Sequence, residues 1–194
     1  AAGLVFMTGA VPGCSVDGPA RRPPGEALLV NMGLLLAFGI QHSVMAREGF
    51  KQAWTRLVPA PIERSTYVVL ASLVLVALMA HHAPMPAILW HLEGPVAWGL
   101  WALFGAAGAA TLGLTFAISH LEYLGVAQAR AFARGERPEP PELELGGPYG
   151  WVRHPMITAT LAFLWITPHM SLGHLVLALG FTAYALIGTA LEER

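Results

Sequence analysis

A single cysteine, Cys14, stands among 194 residues, so the chain can form neither an internal disulfide framework nor a cysteine-rich zinc site. Charge is scarce too. Only 12% of residues are Asp, Glu, Lys or Arg, against roughly 25% in ordinary soluble domains. The formal net charge of −1 gives no electrostatic basis for binding nucleic acid or an acidic partner. Gly-x-Gly-x-x-Gly, Gly-x-Ser-x-Gly, phosphate-loop and His-Glu-x-x-His patterns do not occur. Their absence removes the soluble dinucleotide-binding, serine-hydrolase, P-loop and zinc-protease readings.

What fills the chain instead is apolar. Hydrophobic residues make up 55% and the mean hydropathy is +0.56. They gather into long runs separated by short polar segments, the pattern of a chain whose solvent is lipid. The expected fold is all-α: one polytopic membrane bundle over residues 1–194, of about five membrane helices, ending in a helical hairpin. Ala1 to Val11 reads as the end of a first helix whose start is missing, and Val11 to Gly25, dense in Pro and Gly, reads as a loop. Glu26 to about Met45 spans the membrane. The amphipathic stretch REGFKQAWTRLVPAPIERS follows, and Ser65 is placed to cap a second span that runs to about Ala80. His81 to Pro95 is a proline-broken loop, with Trp90 and Trp98 suited to an interfacial belt.

Val96 to Ser119 is the next span; Gly99, Gly105, Gly108 and Gly113 along it favour close helix approach. His120 to His154 is polar. Met156 to Ile166 and Leu172 to Leu191 then form the hairpin across Thr167-Pro168-His169-Met170-Ser171, with a first arm too short to cross alone. In this topology Arg47, Lys51, Arg56, Arg64, Arg130, Arg134, Arg137, Arg153 and Arg194 share one side, and only Arg21 and Arg22 face the other. The positive-inside rule makes the crowded side cytoplasmic. His42, His120, Arg153, His154, Glu192 and Glu193 then gather at that side, at the ends of four helices.

Each of these residues has a plain reading beside a functional one. Arg153-His154-Pro155 is either an interfacial cation before a helix start or one wall of a polar pocket. Glu192-Glu193 ends an apolar helix, where the macrodipole disfavours carboxylates, so a cationic ligand or Arg153 is expected to compensate. His42 and His120 are helix-end histidines suited to the negative dipole end, or groups that handle a proton. Two histidines with Glu122 are a weak signal for a metal, and none is expected. His81, His82 and His91 fall on the opposite side and carry no assigned chemistry.

Taken together, "PYGWVRHP" and the closing "LEER" resemble the isoprenylcysteine carboxyl methyltransferase superfamily of membrane enzymes, to which NnrU-type proteins are also related. "QHSVMAREGFKQAWTRLVPAPIERSTYVVLASL", "ISHLEYLG" and "WITPHMSLGHLVLALGFTAYALIGTALEER" narrow this to the bacterial methanethiol S-methyltransferases, over nearly the whole chain. The resemblance implies S-adenosylmethionine as methyl donor, bound through Tyr149, Arg153, His154, Pro155, Glu192 and Glu193. It also implies methanethiol as acceptor and dimethyl sulfide as product, at a site facing the cytoplasm from the inner membrane. His120, His42 and Glu193 are the catalytic candidates, with the histidines set to take the thiol proton. Ile157 and Ala159 replace a tyrosine and a glycine usual after the RHP element, which implies a reshaped donor pocket. The family's basic, aromatic tail beyond the paired glutamates is missing after Arg194, as expected of a trimmed chain. The rival readings are a prenylcysteine carboxyl methyltransferase, an NADPH-dependent membrane reductase and a non-enzymatic NnrU-type membrane protein.

Overall fold

Prolines decide where the long helices start. In a computed structural model of the chain, residues 2–9, 15–117, 121, 124–136 and 147–192 are described. Helix α1 (Ala2–Thr8) is short, and its Phe6 carbonyl accepts the Val16 N–H at 3.1 Å. Helix α2 (Pro24–Ala46) opens with Pro24 at its first position, where the missing N–H costs nothing. Arg47 breaks into extended backbone, and the amphipathic stretch becomes α3 (Glu48–Trp54).

The next span starts earlier than a Ser65 cap requires. Helix α4 (Ala60–His81) is initiated at Pro59 and Pro61, and the Ser65 hydroxyl instead donates to the Gly125 carbonyl at 2.8 Å. A Cβ on Gly125, whose φ is +73°, would stand 2.6 Å from the Ser65 nitrogen. That glycine lets α6 (Val126–Ala133) begin directly against α4. Helix α5 (Gly94–Ala117) is the third long span. A 3₁₀ turn at Gly147–Gly150 precedes α7 (Pro155–Trp165), and α8 (Leu172–Glu192) is the fourth.

Four helices are therefore long and apolar enough to cross a membrane, and only 11–17% of their apolar windows is buried within the protein. Leu29, Trp98 and Ile187 are among the many large side chains left exposed, as lipid-facing surfaces require. The chain is an integral membrane protein. At 11 residues, α7 is about 16 Å long and falls short of the ~30 Å hydrocarbon core.

The segment that completes this short arm is not a simple turn. β1 (Ile88–His91) pairs antiparallel with β2 (His169–Ser171), with Trp90 opposite Met170 and His91 opposite His169. The proline-broken loop and the hairpin turn thus form one ribbon. Its reason is hydrogen-bond accounting. Pro84, Pro86 and Pro168 rule out helix here, and the backbone groups of a half-buried segment must still pair. Leu172 N–H reaches Ala87 O at 2.8 Å, Leu92 N–H reaches Pro168 O at 2.9 Å, and the Trp90 indole reaches Thr167 O at 3.1 Å.

Buried Asn31 clasps the same end, bonding both the carbonyl and the N–H of Ala83 at 2.9 Å. Between the ends, Phe104 stacks on Phe163 at 4.5 Å, while Phe38, Leu78, Leu164 and Leu177 join the core.

Candidate active site

Helices α2 and α8 run side by side in the same direction. Leu35 meets Gly180, and four residues further along each helix Gly39 meets the ring of Tyr184. Helix α4 runs against them: Asn31 of α2 bonds Ala83, just beyond the end of α4, while His42 bonds Tyr67, near its start. The ends of α2 and α8 and the start of α4 therefore share one end of the bundle, opposite the ribbon. The start of α7 lies toward that end too, since Trp165, its last residue, donates its indole N–H to Thr182 of α8 at 2.9 Å and the helix runs back from there antiparallel to α8.

His42 is the centre of this end. Its Nδ1 lies 2.9 Å from the Tyr184 hydroxyl, and its Nε2 lies 2.9 Å from the Tyr67 hydroxyl, which is also 3.1 Å from Nδ1. Ser43 Oγ donates to the Tyr184 hydroxyl at 3.3 Å. Phe38 tilts against the imidazole at 5.4 Å and supplies an apolar floor. An imidazole held between two phenols on separate helices is oriented at both nitrogens and can accept or pass a proton.

A groove of about 590 Å³ runs between α2 and α8 to this cluster. Among the described residues its wall is mostly aliphatic, from Met32 to Leu191, with His42, Ser43, Arg47 and Tyr184 as the polar members. Gly39, Gly180 and Gly188 leave the depth. A Cβ on Gly39 would press to 3.3 Å of the Tyr184 ring, so the glycine sets how closely that ring approaches α2.

The other sequence-expected residues are placed as follows. Arg153 is exposed, half-buried His154 caps α7, and buried Pro155 is its first residue. The His154 carbonyl receives both the N–H and the hydroxyl of Thr158 at 3.0 Å. Tyr149 is half-buried in the preceding 3₁₀ turn. These residues open α7, which packs most extensively on α5, and none of them lines the α2–α8 groove. Glu192 is the last residue of α8, although its side chain is not among those described. His120, Glu122 and Glu193 lie outside the described residues. Among the described residues, no three His, Cys, Asp or Glu side chains are grouped to hold a metal ion.

Sequence reasoning missed Tyr67, Tyr184 and Ser43. The signal was a tyrosine inside an apolar run near a span's end, since a buried phenol needs a partner. The pairing itself was invisible, because Tyr67 and Tyr184 stand 25 and 142 residues from His42.

The histidines of the ribbon end have structural roles. Burial pushes the His82 imidazole down to about 4, against the opposing pull of the Val16 carbonyl and Asp17. Phe6 packs edge-on against it at 5.3 Å. His174 Nε2 is bonded to the Leu164 carbonyl at 2.8 Å, tying α8 to α7, and His91 and His169 face each other across the ribbon at 3.0 Å.

The chain is 44% identical over 185 residues to Methanethiol S-methyltransferase of Mycobacterium tuberculosis, covering 93% of this chain and 74% of that protein. It is also 44% identical to Methanethiol S-methyltransferase of Pseudomonas deceptionensis, covering 95% and 70%. Nurim of Rattus norvegicus is more distant, at 29% identity, with 87% and 67% covered. No family model and no solved structure matches the chain. Identity at this level over nearly the whole chain makes the chain a member of the methanethiol S-methyltransferase family.

Proposed function

We propose that this protein transfers a methyl group from S-adenosylmethionine to methanethiol, giving dimethyl sulfide. The site is the His42 end of the bundle, facing the cytoplasm from a bacterial inner membrane. The observation that carries the reading is the 44% identity, over 93% of the chain, to a protein named for methyl transfer to methanethiol.

The described residues fit a sulfonium donor that bears a carboxylate. Arg153 is an exposed residue just before α7, next to His154 at the helix N-cap, and a guanidinium binds a carboxylate in a charge-assisted, bidentate manner. Tyr149 and Pro155 shape that side, Pro155 by fixing the start of α7. The acidic pair Glu192 and Glu193, read from the sequence, would balance the donor's amino group and sulfonium. When bound, the donor supplies an electrophilic methyl group.

The protein's remaining task is to make and aim a thiolate. A thiol is a poor nucleophile until it ionises, and a positioned base contributes roughly 10²- to 10⁴-fold. His42 is that base, with His120 the second candidate. Neutralisation of thiolate and sulfonium as they meet is favoured where water is excluded. Lipid bilayer and a small thiol are the partners; nucleic acid is not.

The test is a label-transfer assay in nanodiscs with methyl-labelled S-adenosylmethionine and methanethiol. Labelled dimethyl sulfide in the headspace is the expected product. A folded protein that binds the donor but methylates only a prenylcysteine would overturn the acceptor; one that binds NADPH and not the donor would overturn the reaction.

A further inference from the structure

Ser43, Tyr184 and His42 form a hydrogen-bond chain. Ser43 Oγ donates to the Tyr184 oxygen at 3.3 Å. With that oxygen accepting from Ser43, the phenolic proton is free to point to His42 Nδ1, 2.9 Å away. The relay uses the tautomer in which Nδ1 carries the lone pair and Nε2 the proton, with Nε2 2.9 Å from the Tyr67 oxygen. Tyr184 lies in the wall of the α2–α8 groove, so its hydroxyl connects the groove to the imidazole.

We propose that the α2–α8 groove is the acceptor site for a small apolar thiol drawn from the bilayer, and that Tyr184 relays the thiol proton to His42. This rests on the methyl-transfer reading above and adds the site and the relay to it. Several observations support it. The groove is lined by aliphatic side chains and opens on a flank where Leu36, Ile40 and Ile187 are exposed to lipid. A small apolar thiol partitions into that phase. The polar members of the wall sit together at the His42 end, so a thiol reaching the end of the groove meets Tyr184. Among the described residues no carboxylate lines the groove, and the charged or titratable groups among them that face Tyr184 or the passage are His42, Tyr67 behind it, and Arg47.

The step balances. The S–H bond breaks as that proton joins the Tyr184 oxygen, while the original Tyr184 proton moves to His42 Nδ1. The thiolate sulfur forms a bond to the donor's methyl carbon as the donor's own sulfur–methyl bond breaks. The products are a thioether, the demethylated donor and an imidazolium at His42, which later loses its proton to solvent.

The test is Tyr184→Phe, which keeps the ring against Gly39 and removes only the hydroxyl. With methanethiol at neutral pH, kcat/KM should fall by about 100-fold, with donor affinity by calorimetry unchanged. The variant's kcat/KM should then climb close to tenfold per pH unit toward alkaline pH, because the thiol must ionise in solution, while the wild type flattens. A Tyr184→Phe enzyme with wild-type rate and pH profile overturns the relay. So does a loss that is equal at every pH, which marks a purely structural hydroxyl. If Tyr184→Phe no longer binds the donor, Ser43→Ala decides. A several-fold loss at neutral pH that recovers at alkaline pH supports the relay, and an unchanged profile overturns it. A wild type that methylates no thiol at all refutes the methyl-transfer reading rather than the relay.

Discussion

At the scale of single residues, the protein treats its histidines in two opposite ways. His42 is held by phenols beside an open groove, whereas His82 is packed away at the ribbon end, where burial drives its pKa down to about 4. The consequence for His82 has a definite sign. The unfolded chain takes up the proton near the ordinary value of 6.5, but the folded chain resists it until about 4. Stability from this residue is therefore intact above 6.5 and is lost as pH falls from 6.5 toward 4, by on the order of 3 kcal/mol in all. Thermal unfolding in detergent, followed across that window, should show His82→Phe losing less stability than the wild type. Parallel curves for the two proteins would contradict the burial of a neutral imidazole.

At the scale of elements, the helices were legible because each leaves a local trace: an apolar run of spanning length, a proline at its start, a polar break at its end. The start of α4 was misplaced because Ser65 satisfies the local rule for a cap, whereas its hydroxyl is used by Gly125 across the bundle. The ribbon was missed because its prolines forbid helix without saying what replaces it; its partners are supplied from 78 residues away, as with His91 and His169. Likewise His42 and the Arg153-His154-Pro155 start of α7 stand out in the sequence, but the phenols that orient His42 come from other helices. Gly39 tests the fit between α2 and α8. In Gly39→Ala the added methyl meets the Tyr184 ring at 3.3 Å, so the ring shifts by a few tenths of an ångström. Turnover should fall by roughly 10-fold, since misplacement of this kind costs rate before stability, with the melting temperature within a few degrees of wild type. Unchanged turnover would mean that Tyr184 does not need its present position.

At the scale of the whole molecule, the two ends divide the work. The ribbon end is closed by backbone pairing, the Asn31 clasp and buried histidines, and it fixes where the parallel pair α2 and α8 begins. The opposite end carries the His42 cluster and the groove, and it also receives the start of α7 with Arg153 and His154. Closure at one end and polar side chains at the other suit the proposed site, which would meet lipid, an apolar thiol and a charged donor together. The most direct measurement is a cryo-electron microscopy structure in nanodiscs with S-adenosylhomocysteine and a small thiol analogue bound. The predicted result is the donor's carboxylate at Arg153, its sulfur turned toward Tyr184, and the thiol at the His42 end of the α2–α8 groove. A donor bound beside the ribbon, or a thiol held where neither Tyr184 nor His42 can reach it, would contradict the proposed site.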